Sequence, residues 1–271
     1  MVLPIHDAGM PNMTEPDPLL VEYPSDDIVV LRLNRPQVRN ALNLTVRQRL
    51  ADEVTRHGND PKIRCLVITG SEVSFAAGAD IKEMAEAGPV EVMARNVQKY
   101  WRILMDCPKP LIAAVEGFAL GGGLELALCA DIIVAGEGAK LGLPEVKIGI
   151  LPGGGGTQKL ARLVGRQRAM LLLLTGRIFS AADALNMGVV GEVAPAGQAL
   201  ARALEVAREI ADMPPISVMQ IKEIVNAGLN APLDTALMLE RKALLVQFAT
   251  RDQKEGMRAF IEKRKAKFEG K

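Results

Sequence analysis

The 271-residue sequence predicts an α/β fold followed by a helical C-terminal region. Short apolar, β-branched runs alternate with segments whose apolar residues recur at helical spacing between Ile28 and Ala135, the pattern of strands and helices laid in turn. Glycine-rich turns stand among them, in GFALGGGLE from Gly117 to Glu125 and in ILPGGGG from Ile150 to Gly156. Past Leu151 helical segments dominate.

Residues 1–27 read as an N-terminal tail, mobile or laid over the surface. Pro4, Pro11, Pro16, Pro18 and Pro24 interrupt it, and the first Lys or Arg of the chain is Arg32. Neither a secretory signal nor a transit peptide has that composition, so a cytoplasmic protein is expected. Ile28 to Leu33 reads as a strand stopped by Asn34-Arg35-Pro36, and Leu44 to His57 as a helix ending before Gly58. A second buried strand is expected at Ile63 to Thr69, a helix from Pro89 to Met105, and a third strand at Pro110 to Val115. After the glycine turn a helix runs into Cys129, and Asp131 to Ala135 is a fourth strand. Such a succession gathers loops on one side of the sheet, where ligand sites form. The later helices are expected at 157–163, 166–174, 180–187 with Ser180 as N-cap, 197–211, 216–227, 232–249 and 253–268. The domains implied are the tail, a core over residues 28–200 and a helical region over 201–271.

Composition excludes several classes of function. The formal charge is +1, from 33 basic and 32 acidic residues, so nothing global points to nucleic acid or to an anionic membrane. No apolar run approaches the roughly 20 residues of a membrane span. Cys65, Cys107 and Cys129 are odd in number and widely spaced, as expected of reduced thiols rather than a disulfide or zinc framework. His6 lies in the tail and His57 ends a polar helix, which leaves no histidine for a Ser-His or Cys-His engine. HExxH, CxxC, GxSxG, Walker A and GxGxxG strings are all lacking. What remains for acid–base chemistry is carboxylate.

Two glutamates stand out, Glu125 after Gly121-Gly122-Gly123 and Glu145 in LGLPE, twenty positions apart and each beside a glycine-rich turn. Glycines let backbone N–H groups approach a ligand with no Cβ in the way, and a helix start adds a partial positive charge. That combination stabilises a developing oxyanion, while two neighbouring carboxyls move protons on and off the substrate. The same residues also fit plainer roles. Three glycines make a tight turn with close helix–strand packing, and a glutamate at a helix start interacts favourably with the dipole. Gly153 to Gly156 fits a phosphate cradle, Asp80, Lys82 and Glu83 a solvated helix start, and Trp101 the core.

The strings FAAGADIKEM, PLIAAVEGFALGGGLELALCADIIVA, LGLPEVKIGILPGGGGTQKLARLVG and FATRDQKEGMRAFIEKRKAKF resemble the enoyl-CoA hydratase, or crotonase, superfamily, and their order and spacing extend the resemblance over nearly everything from Ile28 onward. The resemblance implies a spiral of ββα units with a helical C-terminal region that builds trimers stacked into hexamers. It implies an oxyanion hole made by the backbone N–H groups of Ala79 and Gly122. Glu125 and Glu145 match the two catalytic glutamates of hydratases, one activating water for attack at C3 and the other giving a proton to C2. Ala77, Asp80, Ile81, Lys82 and Gly153 match substrate and CoA positions. Phe260 and Lys263 match positions that reach CoA across a subunit boundary. The activity implied is reversible hydration of a trans-2-enoyl-CoA, as in fatty-acid β-oxidation, with no metal or redox cofactor; the CoA belongs to the substrate. Alternatives on the same scaffold are a double-bond isomerase or a hydratase for branched or dicarboxylic chains. A more distant one is RNA binding by a basic helix from Lys254 to Lys267.

Overall fold

The computed structural model describes residues 17–271; the proline-rich stretch before them lies outside the described residues. The first element is a hairpin of β1 (Leu19–Ser25) and β2 (Ile28–Leu33), antiparallel with Leu19 opposite Leu33 and Ser25 opposite Ile28. Leu19–Ser25, within the expected tail, thus form a strand. Leu19 is fully buried on this strand, and Pro24 with the flanking acids obscures the strand signal in the sequence.

The chain continues through α1 (Leu44–Gly58), whose first turn is capped by Asn43 accepting from the Val46 N–H at 2.9 Å. His57, near its end, is buried with Nε2 at 2.9 Å from the Tyr23 hydroxyl, a packing role under β1. Next come β3 (Cys65–Thr69), β4 (Ser74–Ala76), α2 (Ile81–Met84), α3 (Pro89–Arg95) and α4 (Gln98–Met105). The single helix expected from Pro89 to Met105 is therefore two helices, broken where Asn96 adopts a left-handed conformation at φ 43°. Then follow β5 (Leu111–Val115), β6 (Phe118–Leu120), α5 (Gly122–Ala127), β7 (Ile132–Gly136), β8 (Lys140–Gly142) and a 3₁₀ turn at Glu145–Ile148.

The remaining elements are α6 (Gly156–Val164), α7 (Arg166–Thr175), β9 (Ile178–Ser180), α8 (Ala181–Asn186), β10 (Glu192–Ala194), α9 (Ala199–Ala211), α10 (Pro215–Gly228), α11 (Leu233–Gln247) and α12 (Arg251–Ile261). Ser180 caps α8 as expected, in a reciprocal capping box with Asp183.

The strands form two sheets, a six-stranded one in the order β1-β2-β3-β5-β7-β10 and a four-stranded one in the order β4-β6-β8-β9. Each unit sends one strand to the larger sheet and the next, short strand to the smaller. The pairs β3 and β4, β5 and β6, and β7 and β8 thus repeat one step along a spiral, with parallel pairing from turn to turn. This is the ββα spiral that the resemblance implies. Three-residue strands such as β4, β6 and β8 are too short to announce themselves as alternating patterns.

The larger sheet is buried on both faces, which explains its unbroken apolar strands. Val29, Leu31, Leu66 and Ile68 face the main core, while Ile28, Val30, Cys65 and Val67 face α9 through Ala199, Ala203 and Ala207. Helix α9 closes this second layer, so residue 200, the expected boundary, lies inside a helix packed on the sheet. Along α10 and α11, Ile221, Val225, Leu229, Leu233, Leu237, Leu244 and Leu245 stand exposed. Helix α12 stops at Ile261 rather than near Phe268, because Lys263 takes a left-handed conformation at φ 54° and the chain folds back. The Glu269 and Gly270 N–H groups then donate to the buried Asp252 carboxylate, each at 2.8 Å.

Gly123 is where the second sheet and α5 touch most closely, since a Cβ there would strike the Ala76 carbonyl. Gly123→Ala is expected to lower stability by about 1–3 kcal/mol, as overpacking against backbone does, read as a fall in the urea midpoint at unchanged m-value.

Candidate active site

Ala79, Gly122 and Glu145 each follow the carboxyl end of a short strand of the smaller sheet, β4, β6 and β8 respectively. These three strands are parallel neighbours, so the spiral itself sets the residues side by side at the end of the sheet where ligand sites form.

Ala79 bridges Leu42 in parallel fashion: the Leu42 N–H donates to the Gly78 carbonyl at 2.8 Å and the Asp80 N–H to the Leu42 carbonyl at 3.4 Å. That pattern turns the N–H of Ala79 itself away from Leu42. Gly121 takes φ +52° and donates to the Gly142 carbonyl at 2.8 Å, which sends the chain straight into α5. Gly122 is the first residue of that helix and has no carbonyl one turn behind it to bond. The two residues lie close together, for the Ala79 nitrogen is 3.4 Å from the point that a Cβ on Gly122 would occupy.

Glu125 follows in the first turn of α5 and is 4% exposed. Its Oε1 accepts from the Gly154 N–H at 2.7 Å and the Gly156 N–H at 2.9 Å. One carboxylate oxygen thereby anchors the glycine run and satisfies the first N–H of α6, leaving Oε2 as the free acceptor. Near Oε2 lies the buried Trp101 Nε1, which has no hydrogen-bond partner among the described residues.

Glu145 opens the 3₁₀ turn after Pro144, and its Oε1 lies 3.1 Å from the point that a Cβ on Gly121 would take. Any side chain at Gly121 would press on this carboxyl. Its Oε2 is buried with no partner among the described residues. Burial pushes the Glu145 pKa up to about 7; its own backbone N–H opposes the shift, and the nearby charge of Glu125 adds to it. Near neutral pH, Glu145 therefore holds a proton part of the time.

The structure thus gathers Ala79, Gly122, Glu125 and Glu145. Gly153 lies next to them, its carbonyl accepting from Gln98 Nε2 at 3.1 Å. Ala77 donates its N–H to the Arg39 carbonyl at 3.0 Å, and Asp80 pairs with Arg35 at 3.3 Å while preceding α2. Ile81 and Lys82 are exposed on that short helix. Phe260, 86% exposed, and Lys263 stand at the end of α12 and are not among the residues gathered around Glu125.

Three features escaped the sequence reading. Gly154 and Gly156 cradle the protein's own Glu125 rather than a phosphate. Trp101 is buried, as expected of core, yet places its polar edge at the site. Arg47 enters from α1 and is also buried. Its signal was present: it falls in line with Leu50, Ala51 and Val54 on the inward face, where a charge is out of place.

A family model described as enoyl-CoA hydratase/isomerase matches residues 24–271. The chain is 44% identical over 239 residues to "Probable enoyl-CoA hydratase echA8" of Mycobacterium tuberculosis, covering 88% of this chain and 93% of that protein. It is 43% identical over 246 residues to a crotonyl-CoA hydratase of Syntrophomonas wolfei, covering 90% and 95% respectively. Among solved structures, an enoyl-CoA hydratase of Bacillus anthracis superposes with a TM-score of 0.91 at 37% identity, covering 94% of this chain and all of that one.

The Glu145 environment sets a pH dependence. Its folded pKa of about 7 lies above the ordinary 4.5, so the proton-bearing form favours the fold. That contribution is fully present below the unfolded pKa and is lost as pH rises through the folded one. Glu145→Gln, neutral throughout, is expected to gain in Tm relative to the parent as pH rises from about 5 to about 8, with the difference levelling beyond. Thermal melts of both proteins across that range check it; a constant difference would contradict the burial of this carboxyl.

Proposed function

The chain belongs to the enoyl-CoA hydratase/isomerase family, and from that premise we propose that Glu125 and Glu145 are the two proton-moving groups of a hydratase. The protein is an enoyl-CoA hydratase, a hydro-lyase that reversibly adds water to a trans-2-enoyl-CoA to give the 3-hydroxyacyl-CoA. The observation that carries the residue assignment is the pairing of two unlike carboxyls around one oxyanion-type pair of N–H groups.

In this reading the thioester oxygen lies between the N–H groups of Ala79 and Gly122. Glu125, with Oε1 tied to Gly154 and Gly156, presents Oε2 to a water and takes its proton as the oxygen attacks C3. The electron pair of the double bond moves onto the thioester, where the two donors meet the negative charge. Glu145, raised into the range where it carries a proton, delivers it to C2. One proton passing from Glu125 to Glu145 resets the pair. The addition is redox-neutral, and two carboxyls with an oxyanion hole suffice for its proton transfers and charge stabilisation, so we assign no metal and no redox cofactor.

The CoA portion is assigned to Ala77, Asp80, Ile81 and Lys82, and the Gly153 backbone to the wall of the catalytic chamber. The exposed apolar surfaces of α10 and α11 and the exposed Phe260 support a homotrimer, or a hexamer of two trimers, in which Phe260 and Lys263 serve a neighbouring site. Free, buried Cys65, Cys107 and Cys129 support a cytoplasmic setting, and among the described residues no helix is long and apolar enough to cross a membrane. The RNA-binding alternative loses its basic helix. Lys263 to Lys267 lie beyond α12, Arg264 is engaged by Glu255 and Glu262, and Lys265 pairs with Asp212.

Glu125→Gln and Glu145→Gln are each expected to lower turnover of crotonyl-CoA by roughly 10²-fold or more with the fold intact by circular dichroism. Near-full activity in the Glu125 variant would remove the two-carboxyl mechanism. Lys263→Ala is expected to raise KM for CoA thioesters with little change in kcat, as lost uniform binding does. Deleting residues 248–271 is expected to abolish both oligomer and activity, so an active monomer by light scattering would sink the shared-site assignment.

A further inference from the structure

Arg47 is only 8% exposed, on the face of α1 that enters the core. A guanidinium in such a place is costly unless an opposite charge accompanies it. Among the described residues, its Nε donates to the Leu42 carbonyl at 3.2 Å and its carbon sits 5.2 Å from the centre of the Trp101 ring. No carboxylate oxygen among them comes within the 4.0 Å of an ion pair with it. Its Nη2 lies 3.7 Å from the point a Gly122 Cβ would take, the same point that the Ala79 nitrogen approaches to 3.4 Å. A cavity of about 30 Å³, walled by Leu42, Leu44, Met84 and Val97, opens where Arg47 and Ala79 meet.

We infer that Arg47 is the fixed countercharge of the oxyanion: a buried cation, unpaired at rest, whose partner is the negative charge that forms on the thioester oxygen. The inference rests on the assignment of the Ala79 and Gly122 N–H groups to that oxygen. Desolvation lowers the Arg47 pKa from its ordinary value, while the charges of Glu125 on α5 and Glu83 on α2 and the hydroxyl of Tyr100 on α4 oppose this. Of the charged groups at the cavity, Asp80 is engaged by Arg35 and Arg95 by Glu91, while the Glu83 carboxylate forms no ion pair among the described residues and reaches Arg47 only through space, beyond 4.0 Å. A neutral thioester gains little from the guanidinium, whereas the enolate gains a full charge interaction. At an effective dielectric of about 20 and a separation of about 6 Å, that is on the order of 10²-fold in rate. The effect belongs to kcat and hardly to KM, because it is realised only as charge develops.

Arg47→Met and Arg47→Lys test this in the full-length protein with two readouts. Acetoacetyl-CoA, an enolisable thioester that undergoes no hydration, is titrated with pH while bound, following its enolate absorbance. Turnover is measured with crotonyl-CoA and with a 2-enoyl-CoA whose chain ends in a carboxylate. The expected result is that Arg47→Met moves ionisation of the bound probe up by about two pH units and lowers kcat roughly 10²-fold on both substrates. Its KM stays near the parent value and its Tm does not fall, since an unpaired buried charge has been removed. Arg47→Lys keeps the charge and is expected to recover part of kcat. Unchanged probe ionisation in Arg47→Met would overturn the inference, as would a loss confined to the carboxylate-ended substrate, which would make Arg47 a binder of the acyl tail. If the parent adds no water to crotonyl-CoA, the hydratase mechanism fails instead, and the probe titration still decides the role of Arg47.

Discussion

The geometry of the site hangs on one carboxylate oxygen. Glu125 Oε1 accepts from the N–H groups of Gly154 and Gly156, and through these two bonds the first turn of α5 is joined to the start of α6. The loop between the 3₁₀ turn at Glu145–Ile148 and α6 would otherwise carry unmet backbone donors into a buried place. Holding it also fixes the orientation of Glu125, since an oxygen that accepts two short bonds cannot swing. Trp101 then completes the wall, because any side chain on Gly154 would collide with its indole nitrogen.

Around this anchor the chain tolerates an unusual concentration of unmet polarity. Trp101 Nε1 and Glu145 Oε2 are buried without partners among the described residues, and the Arg47 guanidinium sits nearby with no ion pair. Each is destabilising by itself. The surrounding core is ordinary, tightly apolar and layered on both faces of the larger sheet, so the fold can bear these costs in one small region. Buried groups lacking protein partners are the ones still able to engage a substrate, which is why their clustering at Gly121 and Gly122 supports the assignment of that place.

Much of this was legible in the sequence. The strands of the larger sheet were readable because burial on both faces makes them continuous apolar runs, and Ser180 because a capping serine has a local chemical signature. Glu125 and Glu145 stood out because glycine clusters beside acids have few other uses, and the family strings placed Ala79 and Gly122. The short strands of the smaller sheet were not legible, since three residues carry no periodicity. Asn96 hid a helix break inside a helical pattern, as Lys263 did in α12. The small alanine face of α9 gave no hint that it closes a sheet. Arg47 was readable in principle as a charge on an apolar stripe, but what lies opposite that stripe is set by tertiary packing alone.

The placement of Ala79, Gly122 and Glu145 at the ends of β4, β6 and β8 makes the pitch of the spiral the ruler of the proposed active site. Neighbouring strands lie about 4.8 Å apart, so two steps across three strands span roughly 10 Å, the scale of a thioester head with its first carbons. Segment length between successive turns does not enter that distance. The chain spends over forty residues from Ala79 to Gly122, including all of α2, α3 and α4, and only about half as many from Gly122 to Glu145. A fold of this kind can lengthen, shorten or reshape the walls of its substrate pocket while the reacting groups keep their spacing, so substrate range and chemistry are able to diverge independently.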